Sequence, residues 1–234
     1  MYNKGNGFRS TAEVGAYVES TGWVSEVTAE DILNRKKTNV HIDSMSLEFA
    51  VPFANAIDTF SNSFPKMSDV CSAVFTDYLE RGAIGCYSDD SHVVSFGANY
   101  VAKGEYAKGS AEYRRFASTG QFPKGTELGS TAYHEITHAM ENRMKRDDKK
   151  NALDGREPST IILERVQDKL NDHDIFFKRK VSLYAEREYW GQPEWKDAEF
   201  LAEAMAEAYT SKTPRPIAVA VREEWEKLYH EVYD

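Results

Sequence analysis

Residues 130–146 run without Gly or Pro, and Ala132, Ile136, Ala139 and Met140 recur within them at three- and four-residue intervals. That period predicts an amphipathic helix with one apolar face turned to a core. Gly129-Ser130 supplies its break and N-cap, and Lys145 and Arg146 suit its C-terminal dipole. Residues 197–209 predict a second helix, built almost wholly of Ala, Glu and long apolar residues, with Leu201, Ala204, Met205 and Ala208 as its core stripe. Residues 46–61 carry Leu47, Val51, Phe53, Ala54, Ile57 and Phe60 on broadly one side, and residues 28–35, 159–170 and 222–233 also show helical patterning. Residues 70–75, 83–87 and 93–101 are β-branched and aromatic, and predict short strands. Ser88-Asp89-Asp90-Ser91 is turn chemistry and makes the last two a hairpin. Residues 103–129 predict a long connection, of the kind that serves as a lid or specificity loop, and residues 145–157 a charged loop.

The elements predict an α+β fold. Residues 1–45 read as an N-terminal extension with no assigned role, 46–146 as a sheet-bearing lobe and 147–234 as a helical lobe. A net charge of −9 argues against nucleic acid or an anionic membrane as the main partner. The absence of a long apolar run and of an apolar leader makes the cytoplasm the default location, with a virion or a longer protein as further contexts. Cys71 and Cys86 are too few for a disulfide framework and are expected as buried thiols.

Polar residues on these helices carry the chemistry. His134-Glu135-Ile136-Thr137-His138 places two imidazoles four apart on one helical face, the spacing needed to grip one metal ion. Glu135 lies about a quarter-turn round, placed to take a proton from a water without ligating the metal. On the second helix, Glu199, Glu203 and Glu207 line up at four-residue intervals, with no Lys or Arg between Ala198 and Ser211. Like charges so spaced cost about 0.2–0.5 kcal/mol per pair unless something positive offsets them. The row is either a solvated acidic face or a metal ligand, Glu199, followed by Glu203 orienting a ligating His. The latter accounts better for the missing basic residues. His41, His92, His173 and His230 have no ligand-like spacing, although His173 lies in a polar loop that could contact substrate.

Two helices, one with His-Glu-x-x-His and a later one offering Glu199 and Glu203, resemble the gluzincin metallopeptidases. Glu199-Phe200-Leu201-Ala202-Glu203-Ala204 is similar to the corresponding helix of the anthrax lethal factor type of peptidase domain and of phage-encoded relatives. Val181-Ser182-Leu183-Tyr184-Ala185 resembles the segment bearing that group's active-site tyrosine. Tyr184 lies farther from Glu199 than the pattern expects, so residues 186–196 read as an insertion and Tyr189 within it is a rival. The resemblance covers roughly residues 80–210 and is specific only at the two helices.

The resemblance implies a zincin-like fold and a Zn2+-dependent endopeptidase with His134, His138 and Glu199 as ligands, Glu203 behind them and Glu135 as general base. Tyr184 or Tyr189 would stabilise the oxyanion. It also implies a substrate-pairing strand at Ala83, Ile84, Gly85 and Cys86, against the simpler reading of a plain hairpin with loosely packed glycines. The expected partner is a peptide or protein substrate. The alternative is a phage-like structural or assembly module that keeps the fold without significant turnover.

Overall fold

The computed structural model describes residues 7–24, 40–79, 83–186 and 195–234. The protein is α+β, with eight α-helices and one four-stranded mixed sheet among these residues. It divides into two compact units, residues 1–110 and 111–234. The His-bearing helix therefore belongs with the helical unit, where the sequence grouped it with the sheet.

In the first unit the strands β1 (Val40–His41), β2 (Ala73–Asp77), β3 (Gly85–Ser88) and β4 (Val93–Gly97) are ordered β1-β2-β4-β3. β1, β2 and β4 are parallel, and β3 runs antiparallel along the edge of β4. Alternation decides which face is covered. Val94 and Phe96 are fully buried, and Phe96 meets Phe49 and Phe53 edge-on at 5.0 and 5.5 Å. Both phenylalanines lie on α2 (Leu47–Ser63), whose other flank receives α1 (Thr11–Ser20). Residues 7–24 and 40–44 are thus part of this unit, through α1, β1 and a bridge from Val24 to Cys71. The helix expected over residues 28–35 falls outside the described residues.

Three expectations change here. Residues 98–101 form a helical turn, α3 (Ala98–Val101), rather than the end of a strand. The expected loop at 103–129 contains α4 (Tyr106–Ser118). Gly109 misleads the reading, since inside a helix it usually weakens it. Here the missing side chain is needed, because a Cβ at Gly109 would lie 2.5 Å from the Tyr100 carbonyl oxygen. Cys71 is buried, with its thiol pushed up to about 12 by desolvation, whereas Cys86 is exposed on the sheet edge.

The second unit is built round α7 (Trp195–Thr210). It packs against α5 (Ser130–Asp147), α6 (Pro158–Leu170) and α8 (Pro216–Tyr233). Phe200, Leu201, Ala202, Ala204 and Met205 are all fully buried, so α7 is covered on every side. An enclosed helix cannot present a solvated acidic face. Glu199, Glu203 and Glu207 are 6, 4 and 0 % exposed, and burial of that kind requires partners. α5 starts without a side-chain cap, since Ser130 is its first helical residue and not its cap. Ser130 Oγ instead meets the Tyr113 hydroxyl at 2.7 Å, and that hydroxyl also reaches Thr126 Oγ1 at 3.1 Å.

Candidate metal centre

His134 and His138 project from one side of α5 toward the carboxylates of α7. His134 Nδ1 is 2.9 Å from Glu203 Oε1. A ring N–H donating there leaves Nε2 with its lone pair. That Nε2 stands 3.1 Å from His138 Nε2 and 3.2 Å from Glu199 Oε2. His138 Nε2 is 3.7 Å from the same oxygen, closing a triangle of three donor atoms. Glu199 Oε2 is buried and lacks a hydrogen bond of good geometry. Three electron-pair donors facing one point, one of them an orphaned carboxylate oxygen, suit a cation. His134, Glu135 and His138 also offer ligand atoms that all lie within 4.8 Å of one another.

Without a cation, a proton takes up part of this charge. Burial resists charging His134, but the Glu199 and Glu203 carboxylates outweigh it and hold its pKa well above the ordinary histidine value. His138 is raised in the same way, burial opposing and Glu199 prevailing. Glu199 is held down to about 2: burial pushes it up, and the two imidazoles overcome that. Glu135 moves the other way. Desolvation raises it, only partly offset by His134 and His138, so one carboxyl holds charge while its neighbour accepts protons more readily.

Tyr184 opens a short 3-10 turn, Tyr184–Glu186, and its ring lies 6.1 Å from the His134 ring, edge to face. Phe122 flanks it at 5.8 Å. Tyr189 lies outside the described residues. Ala83, Ile84, Gly85 and Cys86 lead into and form the edge strand β3 of the first unit, where Gly97 N donates to the Ile84 carbonyl at 2.8 Å. No family model, curated protein or solved structure matches the chain.

The other histidines have neighbours of their own. His41 stacks on Phe75, His92 Nδ1 meets the Tyr87 hydroxyl, and His230 pairs with Asp234. His173 is exposed beside Asp168. Two pairings in the helical unit were not legible in the sequence. Glu141, one turn after His138, accepts from Ser159 N at 2.9 Å and so caps α6. Arg215 answers Glu207: its backbone N and its Nε both donate to Glu207 Oε1 at 2.8 Å, and Nη2 bonds the other oxygen. A third carboxylate in a row without basic neighbours is the signal that a cation must come from elsewhere in the chain.

Proposed function

We propose that the protein is a zinc-dependent endopeptidase of gluzincin type, with a zincin-like arrangement of its two metal-binding helices. The observation that carries this reading is the donor triangle of His134 Nε2, His138 Nε2 and Glu199 Oε2, with sides of 3.1, 3.2 and 3.7 Å. A tetrahedral ion with bonds of about 2.0–2.1 Å asks for ligand atoms about 3.3 Å apart. Two imidazoles and one carboxylate suit zinc and leave one position open to water or substrate.

When bound, the metal supplies Lewis acidity, polarising a peptide carbonyl and acidifying a water. Glu203 fixes the tautomer of His134, so that Nε2 keeps its lone pair for the ion. Glu135, on the same helix as both imidazoles and with a ligand atom within 4.8 Å of theirs, takes the proton of the attacking water and delivers it to the leaving amine. Tyr184, beside His134, donates its hydroxyl proton in a hydrogen bond to the developing oxyanion. In the sheet-bearing unit, Ala83, Ile84, Gly85 and Cys86 border an edge at which an extended peptide can add as a strand.

The deciding experiment pairs metal analysis with cleavage of a peptide library. Wild-type protein should hold one zinc per chain and cleave. Glu135→Gln should retain zinc and fold yet lose cleavage, and Tyr184→Phe should lower turnover about 100- to 1,000-fold. Fully loaded wild-type protein that cleaves nothing between pH 6 and 9 would overturn the endopeptidase in favour of the assembly module.

A further inference from the structure

Among the contacts that hold the segment leading to Tyr184 is one side chain that the mechanism above leaves unused. Arg215 precedes α8, and its guanidinium divides its donors between two tasks. Nε and Nη2 hold the fully buried Glu207 carboxylate of α7. Nη1 donates to the Lys180 carbonyl at 2.5 Å and Nη2 to the Val181 carbonyl at 2.6 Å. These carbonyls end the 3-10 turn Phe177–Lys180 and begin the stretch that runs through Ser182 and Leu183 to Tyr184. Farther along, Leu183 N and Tyr184 N donate to the Gly120 and Gln121 carbonyls at 2.8 and 3.1 Å. The segment is thus held at both ends. The turn itself packs on the helix that carries Glu199 and Glu203, and Lys178 pairs with Asp197 of that helix. Arg215 adds the hydrogen bonds that link the Lys180 and Val181 carbonyls to a carboxylate of the same helix.

We infer that Arg215, with Glu207, is a positioning residue for Tyr184: the pair holds the Val181–Tyr184 segment in register with the carboxylates of α7. This rests on the reading of Tyr184 as oxyanion donor. The chemistry favours arginine at this position. A rigid fork of five donors can serve a carboxylate and two carbonyls together, whereas a lysine ammonium has three donors on a point charge. The role also accounts for burying the Glu207 carboxylate on the enclosed face of α7, where an apolar side chain would pack at least as well.

Arg215→Lys keeps the charge facing Glu207 and gives up the fork. The paired change Glu207→Met with Arg215→Met removes both charges, so no carboxylate is stranded even if a single variant folds poorly. Two readouts apply to each. The first is the nuclear magnetic resonance signal of the 13C-labelled His134 ring, which lies within the ring-current range of Tyr184. Both variants should move that signal as Tyr184→Leu does, while Tyr184→Phe leaves it near wild type. The second is a kinetic cycle. Arg215→Lys should lower kcat about 10- to 100-fold with KM changed less than about threefold, and should add almost nothing in the Tyr184→Phe background. An unmoved His134 signal in both variants overturns the inference, as do fully multiplicative kinetic losses. If the protein proves not to be a peptidase, the resonance arm alone still decides whether Arg215 places Tyr184.

Discussion

Glu199 and Glu207 sit two turns apart on one helix, both buried, and their removal should have opposite consequences. Glu199→Ala removes a carboxylate whose Oε2 has no hydrogen-bonded partner, and its first cost should fall on the metal. Its metal affinity should fall by more than the roughly 10- to 100-fold typical of an outer partner. Glu207→Ala should keep the metal and cost about 1–3 kcal/mol of stability, since Arg215 loses its carboxylate while its side chain remains a third exposed and partly screened. Metal content per folded molecule, measured beside denaturant midpoints, separates the two. Proton competition should reveal His134. Its folded pKa is raised above the unfolded value of about 6.5, so the stability it contributes to the metal-free protein is complete below that value and is lost as pH rises through the folded pKa. Metal binding must expel the same proton. Affinity should therefore keep climbing with pH well past 6.5, and calorimetry in buffers of different ionisation enthalpy should register proton release at neutral pH. A pH-independent affinity above 7 would contradict the pairing of His134 with the two carboxylates.

Among the elements, the cap at α6 offers the clearest measurement. Glu141→Ala leaves Ser159 N without its acceptor and should cost about 1–2 kcal/mol, with metal content unchanged because the donor triangle does not include it. The helices were legible because period and composition agree over long runs: the expected 130–146 and 197–209 are observed as Ser130–Asp147 and Trp195–Thr210. The i, i+4 spacing of His134 and His138, together with Glu199 and Glu203, likewise made the clustering of these four side chains legible. What escaped were features set by contacts distant in sequence. α4 carries a glycine whose reason is the Tyr100 backbone beside it, and the Ser130 hydroxyl, instead of capping, bonds the Glu127 carbonyl and Tyr113 on another helix. Arg215 could not be matched to Glu207 until α7 was seen to be enclosed.

For the molecule as a whole, the two units should respond differently to metal. All the donor atoms lie between His134 and Glu203, within the second unit. A ligand that binds only the folded state at a thousand times its Kd adds about 4 kcal/mol. Hydrogen exchange should accordingly show amides of α5 and α7 gaining protection on loading, and those of β2 and β4 gaining much less. Equal protection everywhere would mean that the chain opens as one cooperative body. Among the described residues, no helix is long and apolar enough to cross a membrane.

His138 and Glu199 are about 60 residues apart in the chain, yet their donor atoms meet across two packed helices. A covalent link at that separation would persist in the unfolded chain and restrict its entropy, stabilising the protein whatever the surrounding solution. An exchangeable ion does not persist, because unfolding scatters its ligands and releases it. The durability that such an ion confers is therefore not a fixed property of the sequence. It follows the free metal concentration of the protein's surroundings, and a chelator can withdraw it without breaking a bond in the chain.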